Sequence, residues 1–123
     1  MNLVDSSGWL EYFSNGKNAD IYAPAIENSS QLVVSTINIY EVFKLVYQQR
    51  GEEAALMAAA VMLRGKVVDV STRLAMEAAR FSADQKVPLA DSLIYLTARR
   101  NEAVLWTQDK ALEPFEMVNY TPK

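Results

Sequence analysis

The chain has 123 residues, half of them apolar, with twelve lysines and arginines against fifteen aspartates and glutamates, a formal net charge of −3, and neither cysteine nor histidine. That inventory removes thiol nucleophiles, Ser–His and Cys–His pairs, imidazole acid–base chemistry and zinc sites built on Cys or His. It leaves carboxylates, hydroxyls, lysine, or a hard cation held by oxygen, and the acidic balance argues against a broad electrostatic nucleic-acid surface.

The length suits one domain, expected to span residues 1–123, with enough apolar residues for a core that needs no covalent staple. The first residues carry an early acid and do not look like a signal peptide. The longest apolar run, Ala54 to Leu63, falls well short of the roughly 20 residues that cross a bilayer. These features lead us to expect a cytoplasmic protein with no membrane contact.

In chain order, Asn2 to Asp5 reads as a short buried strand. Ser6 to Phe13 follows as a helix closed by the Asn15-Gly16 turn. Asn18 to Glu27 is a second helix and Gln31 to Ser35 a second strand. Ser35 and Thr36 are N-cap candidates for a long helix from Ile37 to about Arg50, ended by Gly51. Glu52 to Leu63 is an alanine-rich helix with apolar residues all round, a composition normally buried on more than one side. Lys66 to Val70 is a third strand, and Ser71 or Thr72 caps a helix to about Lys86. Pro88 opens a further helix to about Arg100, which Asn101 closes. Ala103 to Trp106 is a strand, Asp109 to Leu112 at most one helical turn, and Glu116 to Tyr120 a last strand. Five strands alternating with helices predict an α/β domain with a mainly parallel sheet.

Four acids fall in telling places. Asp5 ends the first strand, Glu41 lies in the helix after the second, Asp91 sits in the first turn after Pro88, and Asp109 follows the Val104–Thr107 segment. In a parallel α/β sheet the strand C-termini and helix N-termini share the edge where ligands bind. Each acid also has a structural explanation. Asp5, Asp91 and Asp109 are all placed to cap a helix or face its dipole, Asp5 just before the Ser6-Ser7 pair. Glu41 is flanked by Ile39, Tyr40, Val42 and Phe43, at the margin of a buried face, where a carboxylate needs a partner. Lys44 is the only basic residue within a turn. Brought together, two carboxylates 5 Å apart repel by about 3 kcal/mol at an effective dielectric near 20. Such a cluster persists by sharing protons or holding a cation, for which Mg²⁺ or Mn²⁺ suits oxygen ligands better than Zn²⁺.

Asn-Leu-Val-Asp-Ser-Ser-Gly-Trp-Leu-Glu at the start, Ser-Thr-Ile-Asn-Ile-Tyr-Glu-Val, Pro-Leu-Ala-Asp-Ser-Leu-Ile-Tyr-Leu-Thr-Ala and Leu-Trp-Thr-Gln-Asp-Lys-Ala-Leu follow in that order. Together they resemble the PIN domain and, within it, the VapC-type toxins of toxin–antitoxin pairs. The resemblance covers nearly the whole chain. It implies a three-layer α/β/α fold with a five-stranded parallel sheet and an endoribonuclease dependent on Mg²⁺ or Mn²⁺. The catalytic acids carried over are Asp5, Glu41, Asp91 and Asp109. Asp5, Asp91 and Asp109 are implied as metal ligands, with the hydroxyls of Thr107 and Ser6 in support. The implied partners are an RNA substrate, a cognate antitoxin seated in a groove between the early helices and the helical pair, and a second copy of the chain. The acidic balance departs from what helps an RNA cleaver, and only Lys17, Lys44 and Lys110 stand out as cations near the edge. The alternatives are an RNA-processing nuclease without an antitoxin, a non-catalytic interaction module, and a receiver domain. The last is disfavoured because the first strand ends in a lone acid and Asp69 lies inside a strand.

Overall fold

The structure is a computed structural model that describes residues 1–123. Its elements run β1 (Asn2–Val4), α1 (Ser6–Ser14), α2 (Ala19–Glu27), β2 (Leu32–Ser35), α3 (Thr36–Arg50), α4 (Glu52–Met62), β3 (Lys66–Val68), α5 (Thr72–Gln85), α6 (Leu89–Arg100), β4 (Val104–Thr107) and β5 (Val118–Tyr120). Single 3₁₀ turns at Ser29–Gln31 and Lys110–Leu112 precede β2 and follow β4. The strands form one sheet in the order β3-β2-β1-β4-β5, and every pairing is parallel. The expectation of a mainly parallel sheet is thus met in full.

Alternation along the central strands builds the layers, because successive side chains in a strand point to opposite faces. Val4, Leu32 and Val34 point to one side, where they pack with Trp9 of α1, Tyr22, Ala25 and Ile26 of α2, Val42 of α3, and Ala58 and Met62 of α4. Leu3, Val33 and Leu105 point to the other, against Ile94, Tyr95 and Ala98 of α6 and the buried Val87 and Leu112. A sheet covered on both faces is what an all-parallel arrangement demands. Phe81 of α5 reaches this second layer by stacking on Tyr95, with ring centroids 5.1 Å apart.

Two local expectations change and one open choice is settled. The third strand ends at Val68, so Asp69 is an exposed residue beyond it rather than a strand member. The cap of α1 is Asp5 itself, whose side chain accepts from the Ser6 amide. The alanine-rich α4 is not buried all round. It buries Ala55, Ala58 and Met62, while Leu56 and Met57 are 55% and 65% exposed. The capping of α3 is local and complete: the Ser35 hydroxyl accepts from Ile37 N–H at 3.1 Å, and the Asn38 side chain accepts from Ser35 N–H at 3.2 Å.

The strand order places the chain reversal between β1 and β4. From β1 the sheet grows through β2 to β3, then β4 and β5 add on the other side of β1. The C-terminal ends of β1 and β4 therefore flank the crevice where a parallel α/β sheet binds ligands. Asp5 directly follows β1 and Asp109 lies just beyond β4. A hydrogen bond from Asp5 N–H to the Trp106 carbonyl at 2.8 Å closes the two strand ends together.

The approach of α1 to the sheet depends on Gly8. A Cβ built there would lie 2.6 Å from Val4 Cγ1 and 2.9 Å from the Tyr22 ring. Gly8→Ala is expected to destabilise the protein by about 1–3 kcal/mol despite alanine's better helix propensity. Denaturant unfolding checks this; unchanged or raised stability would show that α1 has room to lift off the sheet.

Candidate active site

All four acids line one cavity of about 550 Å³ at the strand C-terminal edge. Asp5, Ser6, Ser7, Glu41, Asp91, Gln108, Asp109, Lys110, Tyr120 and Lys123 form its wall. They come from the ends of β1 and β4, the starts of α1 and α6, the middle of α3, β5 and the C-terminal tail. Lys110 is therefore the one cation singled out from the sequence that reaches this wall. Lys44 lies instead over the Tyr40 ring, 5.8 Å from its centroid, and Lys17 is exposed elsewhere. Lys123 was not anticipated, and no sequence signal points to it.

Asp5, Glu41 and Asp109 are held by hydroxyl and amide donors rather than by a cation. Asp5 is buried, and its Oδ1 accepts from Ser6 N–H at 2.8 Å. Its Oδ2 accepts from the Thr107 hydroxyl at 2.8 Å. The same Thr107 oxygen accepts from Asp109 N–H at 2.9 Å, so one hydroxyl fixes the Asp5 carboxylate and the backbone carrying Asp109. Asp109 uses its own Oδ1 to cap the following 3₁₀ turn, accepting from Ala111 N–H at 2.9 Å.

Glu41 finds its partner in Ser6, not in Lys44. The Ser6 hydroxyl donates to Glu41 Oε1 at 2.7 Å while accepting from Asn38 Nδ2 at 3.0 Å. Ser6 has a single proton, so the Asn38 amide, by filling one of its lone pairs, leaves that proton for Glu41. Asn38 is fully buried. It is not among the residues singled out from the sequence, although Ser35-x-x-Asn38 read as a capping box would have drawn attention to it.

Burial and mutual repulsion govern the charges. Burial pushes the Asp5 carboxyl up to about 6, against the Thr107 and Ser6 hydrogen bonds that favour the anion, with Glu41 and Asp109 adding repulsion. Burial also raises Asp91, to about 8, helped by a hydrogen bond with Asp109 that favours the protonated form and by the charges of Asp109, Asp5 and Glu41. The donor set is oxygen throughout and suits a hard divalent cation. No three acids converge tightly enough to form a ready-made chelate, so closing on an ion requires side-chain rotation.

A parallel α/β domain with an acid pocket at its topological switch point is the class this geometry defines. Comparison then places it: the PIN domain profile matches residues 3–116. This chain belongs to the PIN domain family. A search of curated proteins finds no match. Among solved structures it is similar to a toxin–antitoxin complex from Klebsiella pneumoniae, with a TM-score of 0.81 and 23% identity, covering 100% of this chain and 98% of that one. DNA-bound VapBC from Salmonella typhimurium has a TM-score of 0.78 and 19% identity, covering 99% and 98%. VapC20 from Mycobacterium tuberculosis, a toxin that cleaves the sarcin–ricin loop, has a TM-score of 0.77 and 17% identity, covering 93% and 94%. At these identities the likeness establishes a shared VapC-like PIN fold.

The raised carboxyls make a sign prediction for the protein in chelator. Folded Asp5 and Asp91 hold protons that the unfolded chain, with aspartates near 3.8, releases. Stability from these groups is therefore lost as pH rises from 3.8 through about 6 and about 8, and levels off above. Asp91→Asn mimics the protonated form and is expected to flatten the upper part of that decline in a series of thermal melts. A melting temperature independent of pH in the parent protein would contradict the burial argument. Asp5→Asn is a poorer probe, because Asp5 also caps α1 and accepts from Thr107.

Proposed function

We propose that this chain is a metal-dependent endoribonuclease, the toxin of a toxin–antitoxin pair, acting through one nuclease unit over residues 1–123. The observation that carries the reading is the delivery of Asp5, Glu41, Asp91 and Asp109 from four separate segments to one polar cavity. The VapC-like fold supports it. Asp5, Asp91 and Asp109 are the residues that would hold Mg²⁺ or Mn²⁺. A bound divalent ion supplies a water of lowered pKa and offsets the charge of the scissile phosphate. The residues do the rest. Thr107 holds the Asp5 carboxylate in a fixed rotamer, and Glu41, steadied by Ser6, accepts a proton at Oε2. Lys110 and Lys123 are the cations on the cavity wall available to an RNA phosphate.

A second cavity of about 560 Å³ supports an antitoxin partner. It is a groove between α1, α3 and α4, lined by Leu10, Phe13, Leu45, Val46, Met57 and Val61 among others. Exposed apolar surface of this kind marks a protein interface. It fits an amphipathic antitoxin segment laid along the groove. We further propose pairing of two copies: Tyr40 and Leu89, neighbours of Glu41 and Asp91 in the chain, are 63% and 72% exposed. No helix is long and apolar enough to cross a membrane, which accords with a cytoplasmic site of action.

The purified protein is expected to cleave RNA with Mg²⁺ or Mn²⁺ and to stop in chelator. Asp91→Asn should lower the rate at least about a hundredfold, since even outer-shell changes at metal sites cost tenfold or more. Cleavage that persists in chelator, or in the Asp91 variant, would refute the metal site. The groove is tested separately: Met57→Asp should abolish the growth rescue given by a co-expressed cognate antitoxin gene while leaving RNA cleavage intact. Rescue by that gene with the groove variant would move the partner to another surface.

A further inference from the structure

The acid cavity and the apolar groove share a wall made of Ser7, Gln108 and Lys123. Gln108 is the unusual member, a buried amide between Thr107, which holds Asp5, and Asp109. Its Oε1 accepts from Asn18 Nδ2 at 2.6 Å, across ninety positions of sequence. Asn18 is buried too, in the loop between α1 and α2. Its amide nitrogen donates a second bond to the Pro122 carbonyl at 3.0 Å, and its backbone N–H donates to Glu11 Oε1 at 3.2 Å. Gln108 Nε2 reaches the Ser7 carbonyl only at 3.5 Å. One side chain thus ties the α1–α2 loop, the end of β4 and the C-terminal tail.

We infer that Asn18 and Gln108 are a positioning pair that sets the direction of the Asp109 carboxylate. Thr107 ends β4, and Asp109 two residues on is again extended, at φ −86° and ψ 110°. Side chains there alternate between opposite sides. Holding Gln108 into the wall therefore turns Thr107 and Asp109 out toward Asp5 and Asp91. Asp109 has two other anchors, its N–H on the Thr107 hydroxyl and its Oδ1 on Ala111 N–H, and both are local, within two residues of it. Two buried amides replaced together by apolar groups of like shape can leave folding nearly neutral, with the part-buried Pro122 carbonyl the one group that loses its donor. The consequence for metal binding rests on the nuclease reading above.

The test uses Gln108→Met, Asn18→Leu and the double variant of the full chain, with Mn²⁺ titrated by calorimetry in the absence of RNA. Each single variant is expected to weaken Mn²⁺ binding about tenfold, as changes that support ligands indirectly do. The double variant should be no worse than the singles, because both act through one link. Its melting temperature should stay close to that of the parent, amide exchange at Lys110–Leu112 should quicken, and kcat on RNA should fall with KM unchanged. Unchanged Mn²⁺ affinity in Gln108→Met overturns the inference. So does a loss of affinity in the double variant that follows a lowered melting temperature, or a double variant whose losses multiply. A parent protein that binds no Mn²⁺ fails earlier, and takes the metal reading with it.

Discussion

The hydrogen bond from Thr107 to Asp5 joins the two strand ends between which the sheet reverses, and most of the site depends on it. Asp5 ends β1, caps α1 through Ser6 N–H, and accepts from the last residue of β4. A carboxylate so deeply buried is costly unless donors surround it. Here the donors belong to the elements that carry the other acids. Thr107 also accepts from Asp109 N–H, and the Ser6 hydroxyl donates a hydrogen bond to Glu41. The same bonds that satisfy Asp5 thus fix where two of its neighbours stand. Asp91 alone enters without a bond to this network from the Asp5 side, and it is the acid whose carboxyl is raised furthest.

The repulsion among these groups is a constraint that the fold accepts rather than relieves. Serine and threonine hydroxyls and backbone amides stabilise individual carboxylates but supply no positive charge. The lysines on the wall are at its rim, beside the 3₁₀ turn and at the tail. Such an arrangement has two ways to lower its energy, protonation or a cation, and both are accessible near neutral pH.

That other surface follows from how α3 and α4 pack. They form an antiparallel pair whose apolar residues exceed what the sheet can cover. Val42, Ala58 and Met62 reach the core, while Leu56 and Met57 do not. The groove they make with α1 abuts the acid cavity through Ser7 and Gln108. Anything seated in that groove would lie directly beside the carboxylates.

Local chemistry made much of this legible in the sequence alone: the order of strands and helices, their caps, the absence of imidazole and thiol, and the acids at Asp5, Glu41, Asp91 and Asp109. Strand alternation and helix caps act between residues a few positions apart, which a linear reading captures. Tertiary structure alone decided the rest. The path that brings Asp91 to the edge is one case, because α6 follows a helix rather than a strand, and only the packing of α5 against α6 orients its start. The exposure of α4 is another, since composition says that apolar residues need cover but not whether the chain itself provides it. Asn38, Gln108 and Asn18 belong here too: an amide's role depends on which distant groups its two ends meet. Ser6 rather than Lys44 became the partner of Glu41 for the same reason. Lys44 lies on the outward side of α3 over Tyr40, while folding β1 beside β2 carries the first residue of α1 to within hydrogen-bond reach of Glu41.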